Sequence, residues 1–299
     1  MHIGSATNHN IFLEASQKKI PLLLDGSMGS YLQQKGFETD DNIWTSNLNF
    51  TSPDEIIKIH REYILSGADI ITSNTFRTNP SALERKGIAD VATYVKQAAN
   101  LARQAADNKK VLVAGSNAPA EDCYQVNRTI DEQKLELNHC KHIDLLIDND
   151  VDFILNETQS HFDEIRIICE HCERFNIPYV LSLYFNESLN LLSGESVEFI
   201  LSYLKNYHPI AIGFNCVKPE LLIKLIRSTQ LPSVWGFYLN CGSGNPSDKI
   251  IECGISPIEY VEIVSNLVEN NPSLIGSCCG SSPTHTRKIR EFLDGKYSS

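Results

Sequence analysis

Short apolar runs recur along this chain, and a longer amphipathic stretch follows each one. The runs occupy residues 21–25, 68–74, 111–116, 151–157, 179–185, 210–216, 233–239 and 273–278. Each is nearly continuous in Val, Ile, Leu or aromatic residues and ends in small or polar ones. Runs this short and this apolar predict parallel strands covered on both faces.

The gaps between them carry helix signals. Ser52-Pro53-Asp54-Glu55 offers an N-cap, a proline at the first helical position and acids in the first turn. Ile56, Ile59, His60, Tyr63 and Ile64 then follow at helical spacing, and Gly67 supplies a stop. Asp131-Glu132 opens a similar stretch through Leu135, Ile143, Leu146 and Ile147. Ser256-Pro257 and Ser282-Pro283 open two more, and Gly194-Glu195 precedes Val197, Ile200, Leu201 and Leu204. Strand then helix, eight times over, predicts an α/β fold of the (β/α)8 barrel type. The length also permits an open doubly wound sheet, but no Gly-x-Gly-x-x-Gly fingerprint follows the first run. The expected organisation is a single domain over residues 1–299, with a polar N-terminal extension at 1–19.

In such a barrel the chemistry sits where strands end. Those ends carry Asp25, Asn74, Ser116, Glu157, Tyr184, Asn215 with Cys216, Asn240, and Cys278 with Cys279. Three cysteine thiolates meeting at one rim could hold a soft metal tetrahedrally, with one position left open. Spacing alone leaves a second reading open, in which Cys216 and Cys279 are buried hydrophobes and Cys278 is incidental. Asp25-Gly26 is a turn dipeptide, yet here it follows a strand and precedes a helical stretch. Asp25 and Glu157 together would grip an α-amino group. The next backbone amides would hold a carboxylate.

Other cysteines read differently. Cys169-Glu-His-Cys172 falls in mid-helix, unlike redox pairs that open a helix, and is read as structural. His139-Cys140-Lys-His142 reads as a surface cluster, and Cys123 and Cys253 as structural or loop residues.

Composition narrows the partners. A net charge of -11, from 26 basic and 37 acidic residues, disfavours nucleic acid and anionic membranes. No apolar run approaches the roughly 20 residues of a membrane span. Residues 1–19 lack the apolar centre of a secretory signal. Nine cysteines without such a signal suggest reduced thiols in the cytoplasm. Nothing in the sequence specifies an oligomeric state.

Taken together the motifs resemble the homocysteine S-methyltransferase family. They are Leu24-Asp-Gly-Ser-Met-Gly29, Ile71-Thr-Ser-Asn-Thr-Phe76, Val113-Ala-Gly-Ser116, Glu157-Thr158, Gly213-Phe-Asn-Cys216, Tyr238-Leu-Asn-Cys-Gly242 and Gly276-Ser-Cys-Cys-Gly280. The likeness runs in order from about Leu22 to Leu293. It implies a TIM barrel with Zn2+ held by Cys216, Cys278 and Cys279. It also implies that Asp25 and Glu157 hold the amino group of homocysteine, and that backbone near Gly26, Ser27 and Met28 holds its carboxylate. Asn74 and Asn240 stand at matching strand ends as further substrate contacts. Trp44 matches an aromatic residue that helps shape the donor side in relatives. The implied reaction moves a methyl group from a small activated donor to homocysteine, giving methionine. A sulfonium such as S-methylmethionine or S-adenosylmethionine is the expected donor, with betaine or a separate methyl-corrinoid protein as others. Trp44, Tyr184 and Tyr238 are candidates to cradle such a cation.

Two departures stand out. Cys241 replaces a serine or alanine common in relatives, and residues 115–124 differ from the betaine and S-methylmethionine types. Alternatives are the same site acting on another small thiol or selenol, or a non-catalytic zinc or redox-sensing protein.

Overall fold

A computed structural model describes residues 10–106, 110–244 and 250–298. All eight predicted runs form strands: β1 (Leu22–Leu23), β2 (Ile70–Thr72), β3 (Leu112–Asn117), β4 (Phe153–Gln159), β5 (Tyr179–Leu183), β6 (Ala211–Asn215), β7 (Trp235–Leu239) and β8 (Leu274–Ser277). They pair in parallel in the order β1-β8-β7-β6-β5-β4-β3-β2. A parallel bridge between Leu24 and Ile70 joins the two ends, with Asp25 N–H donating to Ile70 at 2.9 Å. The sheet therefore closes into a (β/α)8 barrel.

Local chemistry accounts for the helices between strands. The helix Pro53–Leu65 starts with proline at its first position and ends before Gly67, whose φ of 97° suits a residue without Cβ. Asp131 caps Glu132–Asp148 through the Lys134 amide, and Ser256 with Glu259 forms a capping box on Pro257–Leu267.

Two apolar layers result. The larger lies between barrel and helices and includes Ile56, Tyr63, Ile143, Ile168 and Leu222. The smaller fills the barrel itself with Leu24, Ile70, Ala114, Phe153, Leu155, Val180, Ala211, Tyr238 and Leu274. Phe12 joins that inner layer, with its ring 5.5 Å from Phe153 and edge-on to it. Residues 10–19 are therefore not a free polar extension: the helix Ile11–Lys18 covers one end of the barrel. Asn10 donates to Ile210 O at 2.9 Å and Ser16 to Ser233 O at 2.9 Å. Residues 1–9 lie outside the described residues.

The surface reading of His139 and His142 is corrected. Both are fully buried on the helix Glu132–Asp148. His139 bonds Glu164, and His142 bonds Asn117 Oδ1 and Thr78 Oγ1, each at 2.9 Å. A polar residue can sit inside when such partners satisfy it, and those partners lie 25 to 64 residues away in the chain. Cys169 and Cys172 are buried in the core, as expected of structural thiols. Among the described residues no helix is long and apolar enough to cross a membrane.

Candidate active site

One cavity of about 340 Å³ opens at the C-terminal strand ends. Its wall includes the three cysteines and both predicted carboxylates.

Cys216 follows β6 directly, and Cys278 and Cys279 follow β8. β7 lies between those strands, and its carbonyls fix both ligand segments. Tyr238 O accepts from Cys216 N–H at 3.1 Å and Leu239 O from Cys278 N–H at 2.8 Å. Cys216 adopts φ of 55°, a left-handed conformation that costs a non-glycine residue on the order of 1–3 kcal/mol. The three Sγ atoms lie within 4.8 Å of one another. Cys216 and Cys278 are joined as a disulfide, with Cα atoms 5.6 Å apart. Cys279 Sγ stands 3.5 Å from Cys216 Sγ and 4.0 Å from Cys278 Sγ. Sulfurs on one tetrahedral zinc ion would be roughly 3.8 Å apart. Once reduced, the trio therefore fits a soft metal with little movement of Cys279.

Asp25 is 2% exposed, and Thr72 binds it twice, through N–H at 2.8 Å and Oγ1 at 2.9 Å. Burial dominates and pushes its carboxyl up to about 8, with the charge of Glu157 adding and the Thr72 bonds opposing. Glu157 accepts from Ser116 Oγ, and burial raises it to about 7 against that bond. Burial lifts the Cys279 thiol to about 12, with Glu157 adding. Glu157 thus couples electrostatically to both Asp25 and Cys279.

Thr158, next to Glu157, also adopts a positive φ of 58°. Its N–H donates to Asn215 Oδ1 and its Oγ1 accepts from Asn215 Nδ2, both at 2.8 Å. This reciprocal pair clamps the end of β4 to the end of β6, one residue before Cys216. Sequence reasoning noted Asn215 only as a strand end and passed over the Thr158, Thr72 and Ser116 roles. Adjacency to Cys216 and Glu157 could have flagged Asn215 and Thr158, whereas Thr72 and Ser116 lie 47 and 41 residues from the carboxyls they bind.

The segment after β1 turns directly into the helix Met28–Gln34. Ser27 caps the helix Met28–Gln34, accepting from Ser30 N–H, while its own N–H donates to Ser281 Oγ at 3.1 Å. The amides of Gly26 and Met28 have no protein acceptor among the described residues. The Tyr63 hydroxyl donates to Ser27 O at 3.0 Å and holds this turn in place. Trp44 lies in the cavity wall at φ of 48°. Its ring packs where a Cβ on Gly29 would collide, and edge-on to Phe76 at 5.9 Å.

Other predicted residues fall elsewhere. Asn74 lines the cavity, but its amide is fully used: it accepts from Thr45 Oγ1 at 3.0 Å and donates to Thr45 O and Asn49 Oδ1. It anchors the loop that carries Trp44. Asn240 is outside the cavity wall, and its Oδ1 accepts from Gly242 N–H at 2.8 Å to hold a turn. Tyr184 is also outside, packed 5.1 Å from Tyr124, which does line the cavity. Tyr238 lines it as a buried residue whose hydroxyl has no partner. Cys123 lines it too, beyond the loop role expected of it. Cys241 is buried beside the trio: its thiol donates to Leu239 O at 3.7 Å and its N–H to Cys279 O at 2.8 Å.

The charge of the wall is lopsided. Asp25, Asp40, Asp41, Asp122 and Glu157 face a single described cation, Arg77.

The chain is 23% identical to homocysteine S-methyltransferase 2 of Arabidopsis thaliana, over 92% of this chain and 94% of that one. It is equally 23% identical to a selenocysteine methyltransferase of Astragalus bisulcatus, over 92% and 93%. The metallated form of the homocysteine methyltransferase MmuM from Escherichia coli shares the fold. Its TM-score is 0.79 at 22% identity, covering 94% of this chain and 99% of that one. The sequence model of the homocysteine S-methyltransferase family matches residues 22–293, and the chain belongs to that family.

Proposed function

We propose that this protein is a zinc-dependent methyltransferase that makes methionine from homocysteine and a sulfonium donor. The observation that carries the reading is the convergence of Cys216, Cys278 and Cys279 in one cavity with the carboxyls of Asp25 and Glu157. Zinc held by the three cysteines would acidify a thiol placed in its fourth position. Asp25 and Glu157 hold the substrate ammonium group, and the free amides of Gly26 and Met28 take its carboxylate. This fixes the acceptor sulfur at the thiol cluster, so the protein lowers the barrier mainly by alignment. The acceptor sulfur attacks the methyl carbon as the donor sulfur–carbon bond breaks. The electron pair leaves with the donor sulfur, which becomes a neutral thioether. Trp44, Phe76 and Tyr124 offer π-faces to a cationic donor. We locate the reaction in the cytoplasm, because the trio must be reduced to bind metal.

The Astragalus relative favours a second reading, with a selenol as acceptor. The Cys216–Cys278 disulfide favours a third, in which the trio reports oxidation.

Metal analysis of the reduced protein tests the core of this reading. About one zinc per chain is expected, lost in Cys216→Ser. Activity with homocysteine should fall by more than the 10–100-fold typical of outer-shell partners. A folded, reduced, metal-free wild type would count against it. So would the absence of methionine formation with every sulfonium, betaine and methyl-corrinoid donor.

A further inference from the structure

Arg77 is the one described cation in a wall that carries five acids. A lone guanidinium in such a wall is normally neutralised by a neighbouring carboxylate. Here no ion pair joins Arg77 to any acid among the described residues. Its hydrogen bonds go to backbone instead: Nη1 donates to Glu121 O at 2.6 Å and to Pro119 O at 3.4 Å. The guanidinium also lies 5.1 Å from the centre of the Phe76 ring. These contacts fix the group in place. They use Nη1 alone.

A guanidinium has five N–H donors. Nε and Nη2 form the edge that matches a carboxylate with two parallel bonds. In Arg77 that edge has no acceptor among the described residues, and neither atom is a buried orphan. It is therefore open to solution beside the cavity. Phe76, against which the guanidinium packs, also packs against Trp44. An aromatic face for a cation and a fork for an anion thus stand side by side, on the loop after β2.

We propose that Arg77 binds the carboxylate of the methyl donor, so that the donor is a zwitterion with its sulfonium over the aromatic wall. This rests on the methyltransferase reading and narrows it to carboxylate-bearing donors. Arg77 is a specificity residue: it positions the far end of the donor and takes no part in the transfer.

Equilibrium titration of the reduced, metal-loaded protein tests it, without acceptor present. The probes are S-methylmethionine and its carboxamide, which keeps the sulfonium and lacks the anion. The wild type should bind the carboxylate form roughly 10–100-fold more tightly, the range of charge-assisted hydrogen bonds. Arg77→Gln should erase that preference by weakening the carboxylate form alone, and Arg77→Lys should restore part of it. Equal binding of both probes by the wild type would overturn the proposal. So would equal weakening of both in Arg77→Gln, which would mean that Arg77 only braces the Pro119–Glu121 backbone. The parent reading fails separately. A donor bound through Arg77 but never used to methylate homocysteine would sink the methyltransferase reading and leave this one standing. Methyl transfer from a donor whose binding ignores Arg77→Gln would do the reverse.

Discussion

Asp25 is a buried carboxyl and Glu157 a half-buried one, and the ionisation of each depends on what stands beside it. Both are raised in the free protein, to about 8 and about 7. A raised carboxyl holds its proton longer when folded than unfolded. Its contribution therefore favours folding at acid pH and is lost as pH rises through the folded value. An ammonium group between them would favour the ionised forms and expel those protons. Methionine is the useful probe, because its thioether carries no proton to confuse the count. Methionine binding at pH 7 should release protons, measured calorimetrically in buffers of different ionisation enthalpy. Affinity should rise from pH 6 to pH 8 by up to about tenfold per pH unit for each proton released. Asp25→Asn and Glu157→Gln should each reduce the release. Proton uptake would show that the amino group binds elsewhere.

At the scale of elements, the helices Glu132–Asp148 and Phe162–Phe175 do more than cover the barrel. Glu164 receives His139, Arg128 at 2.8 Å and the Ala120 amide at 2.8 Å. Asn117 at the end of β3 donates to Asn156 at 2.7 Å and pairs with both His139 and His142. This network fixes the loop that presents Asp122, Cys123 and Tyr124 to the cavity. Burial alone would raise the Glu164 carboxyl, but His139 and the Arg128 charge hold it well below its usual range. Glu164→Ala should cost about 3–5 kcal/mol, because it strands buried partners. A depressed carboxyl stabilises above its unfolded pKa and loses that contribution as pH falls toward the folded value. The gap between wild type and variant in urea melts should therefore narrow from pH 7 to pH 3.5. A gap unchanged with pH would show that packing, not ionisation, carries the effect.

For the whole molecule, the two ends of the barrel are chemically separate. The cavity with its acids and thiols lies at the C-terminal strand ends, while Phe12 seals the interior at the other. Phe12→Ala should lower stability by about 3–5 kcal/mol through the cavity it leaves. KM for homocysteine and donor should stay near wild type. Urea unfolding and steady-state kinetics on one preparation check both. A large KM change would mean that the ends are mechanically coupled.

The eight strands and the polar or thiol residues at their ends were legible because their signals are local. A buried parallel strand must be apolar along its length, and its end must turn polar where the cavity begins. The family motifs then tied Cys216 to Cys278 and Cys279 across 62 residues. What the fold decided is which rim residues face inward and which are spent on their neighbours. Asn74 and Asn240 have the right type and position, yet the Asn74 amide is taken by Thr45 and Asn49, and Asn240 lies outside the cavity wall with its Oδ1 held by Gly242. Buried His139 and His142 look like surface residues until Glu164, Asn117 and Thr78 are brought to them. Phe12 sits in a polar stretch, and only barrel closure gives it a place to bury. Arg77 is one arginine of many in the sequence, and its meaning comes from the acids in the same cavity wall and the absence of an ion pair to any of them among the described residues. Local patterns of polarity determine the elements and the chemistry available at their ends. Whether a polar group is free to act depends on hydrogen-bond partners far away in the chain, which the fold alone brings together.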